Sequence, residues 1–85
     1  MNVFDLLKEF ANVEGLKCFV KEMNEDTGFL EGEISMSKNF KNADIKCELG
    51  ILSFGENDAN LVGHDEESIR FILCNEYEVY VSKSN

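Results

Sequence analysis

The chain has 85 residues, 44% of them hydrophobic, and seventeen acids against eight bases give it a formal charge of −9. That length makes one domain with a modest core, burying about 60–65% of its unfolded surface, and the apolar fraction excludes a disordered chain. A field of this sign repels phosphate backbones and disfavours direct nucleic-acid binding, while no apolar run approaches the roughly 20 residues of a membrane-spanning helix.

The N-terminal segment carries Asp5 and Glu9 where a signal peptide would carry bases, so a soluble cytoplasmic protein is expected. Asn2 is a candidate N-cap. Val3, Leu6, Leu7, Phe10 and Val13 recur at helical spacing, with Asp5, Lys8, Glu9 and Asn12 on the opposite side, which predicts an amphipathic helix of about three turns. Gly15 sits where such a helix ends in the left-handed conformation. A helix this short is marginal alone, so its apolar stripe must pack on a sheet.

Leu16 to Met23 and Phe29 to Met36 both alternate apolar and polar residues, the period of a half-buried strand. A five-residue turn over 24–28 sets Met23 facing Phe29, Cys18 opposite Ile34, Leu16 opposite Met36 and, on the outer face, Lys21 opposite Glu31. Residues 37–42 read as a loop in which Lys38 and Lys41 form the one local basic patch. Ala43 to Phe54 reads as one long strand with a bulge at Gly50, which brings Leu52 and Phe54 onto the face of Leu49. A turn cluster follows over 55–60, then a short strand at Leu61 and Val62, then the run His64-Asp65-Glu66-Glu67.

Ile69 to Ser82 is the densest β-branched and aromatic stretch, with one polar interruption. A two-residue loop at Asn75-Glu76 would mix the faces of the hairpin. A three-residue loop, Cys74-Asn75-Glu76, pairs Ile69 with Val81, Phe71 with Val79 and Leu73 with Tyr77, leaving Arg70 opposite Tyr80 and Ile72 opposite Glu78. Only the second gives a clean apolar face, although no glycine is present for a left-handed turn position. The rival reading starts a helix at Asp65, with acids in its first turn.

The fold expected is α+β: a short N-terminal helix packed on a four- to five-stranded antiparallel meander sheet, in a single domain over residues 1–85. Cys18, Cys47 and Cys74 are widely spaced and without a C-x-x-C pair, so they read as small buried or half-buried hydrophobes. A calcium loop starting at Asp58, with Asn60, Gly63 and Glu66 at positions three, six and nine, fails at Val62 and at Ile69, where ligands are required. His64 beside acids has no nucleophile or oxyanion donor with it and reads as a solvated loop residue. No catalytic, cofactor or metal residue is therefore expected.

Residues 1–46 carry −3 and residues 47–85 carry −6. This imbalance points to a non-enzymatic interaction protein that blocks a basic partner surface, with a nucleic-acid-processing enzyme as a candidate partner. Phage-type inhibitors of host nucleases or CRISPR effectors, and immunity proteins, are analogues in size and charge. The partner-binding acids expected are Asp58, Asp65, Glu66, Glu67, Glu76 and Glu78. Ile72 and Tyr80, on the second face of the terminal hairpin, are the expected anchors, since aromatic residues are enriched at binding hot spots. The alternative is a structural or regulatory subunit that forms a homodimer or joins a larger assembly.

Overall fold

The computed structural model describes residues 2–10, 15–26 and 28–83. One helix, α1 (Val3–Glu9), precedes seven strands: β1 (Leu16–Glu22), β2 (Leu30–Met36), β3 (Asn42–Cys47), β4 (Gly50–Gly55), β5 (Ala59–His64), β6 (Ser68–Leu73) and β7 (Tyr77–Ser82). A single 3-10 turn, Glu56–Asp58, joins β4 to β5. The strands make one antiparallel sheet in the order β4-β3-β2-β1-β7-β6-β5. The α and β composition is as expected, but the sheet has seven strands, and two meanders meet at the non-local β1–β7 pair.

Strands β4 and β5 are opposite edges of the sheet and yet consecutive in the chain. In a flat sheet, six spacings of about 4.8 Å would hold them roughly 29 Å apart. The link from Gly55 to Ala59 has four Cα steps, about 15 Å at full stretch. The sheet must curl, and it forms a half-barrel, with strand twist accumulating in one sense across it.

The concave side of that half-barrel is the core. Leu16, Cys18, Val20, Ile34, Ala43, Ile45, Phe54, Ile69, Phe71, Leu73, Val79 and Val81 are all buried there. Helix α1 lies over them with Val3, Phe4, Leu6 and Leu7 buried. The Phe4 ring meets Phe54 edge-on at 5.8 Å, and Phe54 lies 5.7 Å from Phe71. Burial of each large side chain contributes about 1.5–3 kcal/mol, which offsets the weak intrinsic stability of a two-turn helix.

Asn2 caps α1 through a reciprocal box: its side chain accepts from the Asp5 N–H, and the Asp5 carboxylate accepts from the Asn2 N–H. The helix ends at Glu9 with Phe10 as C-cap, shorter than the three turns expected, and Asn12 and Val13 lie outside the described residues.

The expected single strand Ala43–Phe54 is instead a hairpin, registered from Asn42 opposite Gly55 to Cys47 opposite Gly50. Gly50 takes φ +111°, a region glycine enters without the Cβ penalty. Ala43 pairs with Phe54 and Ile45 with Leu52, all on the concave side. An unbroken strand would have left the apolar residues of 51–54 crowding both faces. The cost of the hairpin is an outward Ile51, 64% exposed.

The β1–β2 register is also displaced from expectation by two residues. Leu16 stands opposite Ile34 and Phe19 opposite Glu31, so the faces are those expected and the partners are not. The reason is β7. Lys21 pairs with Glu78 and Glu22 with Tyr77, and the Met23 N–H donates to the Glu76 carbonyl at 2.9 Å. β1 therefore continues along β7 after β2 has left it, and the connection is longer than five residues.

The terminal hairpin has the odd-loop register, Ile69 opposite Val81 through Leu73 opposite Tyr77. The helix starting at Asp65 is absent. The left-handed positions are filled by Cys74 (φ +51°) and Asn75 (φ +56°); asparagine tolerates this region, whereas for cysteine it carries the ordinary Cβ cost.

Candidate functional site

Outward side chains of the central strands build one surface on the convex side. Phe19 of β1 stands between Glu31 of β2 and Tyr80 of β7, and Tyr80 stands beside Arg70 of β6. The Phe19 and Tyr80 rings lie 6.3 Å apart, tilted by 44°. With Phe29, which is 48% exposed, they line a hollow of about 380 Å³ edged by Arg70 and Glu78. Ile72 lies opposite Glu78 on one side and Asn60 on the other.

Of the expected partner residues, the structure thus brings Ile72, Glu78 and Tyr80 together, each half-buried. Phe19 and Phe29 were missed. The outward parity of Phe19, beside Lys17 and Lys21, was legible; its neighbour Tyr80 was not, because β1 and β7 are remote in sequence.

Charges on this face are balanced. Lys17, Lys21, Lys46 and Arg70 project with Glu31, Glu33, Asp44 and Glu78. Lys17 Nζ sits 2.6 Å from a Glu31 carboxylate oxygen and 6.0 Å from the centre of the Phe19 ring. Glu33 stands between Lys17 and Lys46, and Lys21 opposite Glu78. The Ser53 hydroxyl donates to Asp44 at 2.6 Å. Among the described residues, which hold sixteen of the seventeen acids and all eight bases, removing four of each sign leaves twelve acids and four bases off this face.

Many of these acids are in the turns, where the other five expected residues lie. Asp58 accepts from the Gly55 N–H at 2.9 Å, and its carbonyl accepts from the Cys74 N–H at 2.8 Å. One Asp65 oxygen accepts from the N–H groups of Glu67 and Ser68 and from the Ser68 hydroxyl. These bonds, the one from Glu67 first, hold its carboxyl below the usual carboxylate range. Both aspartates fasten turns.

Glu66 and Glu67 are exposed, and Glu66 shares a hollow of about 470 Å³ with Glu9, His64, Phe10 and Lys83. Glu76 shares another, of about 340 Å³, with Glu22, Glu25 and Tyr77. Burial first, and then Glu76 and Glu22, push the Tyr77 phenol upward. The 65–67 acids and Glu76 flank opposite ends of β6, roughly 17 Å apart along the strand. They are two separate acidic turns.

Cys18 is buried, and desolvation, reinforced by Cys47 and Glu33, pushes its thiol up to about 12. Cys18 and Cys47 lie two strands apart across β2, roughly 9–10 Å, beyond the Cα range of a disulfide. Between them stands Gly32, where an added Cβ would come 2.9 Å from Cys47 Cβ and from the Lys46 carbonyl oxygen. Cys74 departs from the expected burial: it is exposed, because it occupies the β6–β7 turn. His64 is the exposed last residue of β5 rather than part of a loop. Asp58 and Glu66 flank opposite ends of β5, so the calcium-like spacing forms no loop. Among the described residues no three His, Cys, Asp or Glu side chains gather to hold a metal ion, and no helix is long and apolar enough to cross a membrane.

Comparison of the chain with protein-family models, with curated proteins and with solved structures finds no match in any of the three.

Proposed function

We propose that this protein is a non-enzymatic interaction module that binds and blocks a basic surface of a partner protein through its acidic turns. The observation that carries the reading is the partition of charge: among the described residues, twelve acids and only four bases lie off the charge-balanced convex face. Among the described residues, the only ion pair within 4 Å is Lys17–Glu31, on that face. Among the described residues no base therefore stands within 4 Å of a turn carboxylate. Exposed glutamates such as Glu66, Glu67 and Glu76 sit on short turns held by a sheet, so they meet a cationic cleft with little ordering left to do.

A nucleic-acid-processing enzyme is the partner class favoured, because its basic groove is shaped for rows of phosphates that carboxylates can stand in for. Acting this way, the protein competes with nucleic acid for the groove and performs no chemistry. The test is capture of partners from a lysate, followed by low-salt and then high-salt washes. A basic protein released by salt, displaced by added DNA or RNA, and lost with Glu66→Lys, Glu67→Lys and Glu76→Lys together is the expected result. Capture only of neutral or acidic proteins that resist high salt overturns the proposal.

A further inference from the structure

A chain of charge −9 repels its own copies wherever acidic turns approach one another. The convex face is the exception. Its four acids and four bases balance, and its centre is an aromatic hollow rather than a charged cluster. Two copies meeting back to back bring no net like charge into the contact, whereas an approach through the turns sets glutamate against glutamate. From this charge partition we infer that the convex face docks a second copy of this chain, with Phe19, Phe29 and Tyr80 of each copy at the centre of a two-fold contact.

The geometry suits an isologous contact, in which one patch must be complementary to itself. Phe29 lies just before β2 at the rim of the hollow, half of its surface exposed. The hollow of each copy is therefore paired with a projecting ring that the other can accept. The base–acid pairs Lys17–Glu31 and Lys21–Glu78 adjoin Phe19 and Tyr80. A two-fold contact sets bases of one copy near acids of the other. Aromatic rings at the centre of a patch with charges at its border are the arrangement typical of binding hot spots.

The contact is expected to be weak. Four strands (β2, β1, β7 and β6) by six residues measure about 19 by 20 Å, close to 400 Å² per copy. That is half of the roughly 800 Å² per partner of a standard interface. The dimer should therefore appear with concentration. It stands apart from the blocking activity, which uses the turns.

Sedimentation equilibrium from about 10 µM to about 1 mM, a range suited to an interface below standard size, is the test. In dilute buffer and in about 0.5 M NaCl, the mass should rise from 9.7 kDa towards twice that value. Salt should tighten the dimer by screening the repulsion between the two acidic bodies, opposite to its effect on capture of a basic partner. Phe29→Asp, outside any strand, should weaken dimerisation at least tenfold with an unchanged thermal transition by circular dichroism, and should leave capture of a basic protein intact. Ile51→Lys, on edge strand β4, should leave the dimer unchanged. A monomer throughout, a dimer indifferent to Phe29→Asp, or a dimer abolished by Ile51→Lys overturns the inference.

Discussion

The convex face and the turns draw on the same residue types, glutamate and lysine above all, yet the first is neutral and the second are strongly acidic. On the face, every side chain has cross-strand neighbours about 5 Å away, and the register sets Lys17 beside Glu33, Glu33 beside Lys46 and Lys21 beside Glu78. Like charges placed there would repel at that distance. The turns impose no such pairing. Asp58 and Asp65 are held by backbone N–H groups, which accept a carboxylate without requiring a base, and Glu66, Glu67 and Glu76 project into solvent. The net charge of this protein is thus sorted by sheet geometry, and the −3 and −6 of its sequence halves conceal the sorting.

The strongest way to break the comparison is to disturb the sheet that imposes it. Gly32→Val would drive a side chain into Cys47 Cβ and the Lys46 carbonyl, each 2.9 Å from the position of its Cβ. The carbonyl belongs to backbone and cannot swing away. A loss of about 1–3 kcal/mol is expected for overpacking of this kind, read from urea denaturation; an unchanged midpoint would show that the two neighbouring strands give way freely.

The turn side is sharpened by Cys74→Gly. Cys74 holds φ +51°, where a Cβ costs about 1–2 kcal/mol and glycine does not. Part of that gain is lost to the greater freedom of glycine in the unfolded chain, so a net stabilisation of about 0.5–1 kcal/mol is expected. A lower urea midpoint for the variant would mean that the cysteine side chain holds the turn.

The smallest effect concerns pH. The Asp65 carboxyl is held below its ordinary range in the folded chain, so as pH falls the unfolded state takes up the proton first. Its contribution is present above the unfolded value and is lost as pH falls through the lower folded value. Asp65→Ala should therefore be less stable than the wild type at neutral pH, with the gap narrowing as acid is added. A gap constant from neutral pH to the acid side of the carboxylate range would contradict this role.

How far the site was legible follows from which partners are local. The outward positions of Ile72, Glu78 and Tyr80 were readable because they share one hairpin and loop parity decides their face. Phe19 was readable as outward and unreadable as the neighbour of Tyr80, since nothing in two alternating segments specifies which pairs with which. The missed β3–β4 hairpin had a weak signal, Glu48-Leu49-Gly50, without the Asn-Gly or Asp-Gly of a strong turn. The β1–β2 slip has the same origin as the Phe19 omission: a two-residue shift keeps every face and changes every partner, so alternation is blind to it.

Local chemistry in the chain determined a capped N-terminal helix, alternating strands with their inward and outward sets, and the odd-loop register of the last hairpin. Each rests on interactions within a few residues or across one short turn. Only the tertiary structure decided that β1 joins two meanders and that the sheet curls until its edges are three residues apart. It also decided that lysine meets glutamate across the convex face while the acids left over gather elsewhere. Those outcomes depend on pairing between distant segments, whose free energy comes from burying a shared concave core rather than from any preference written in the segments themselves.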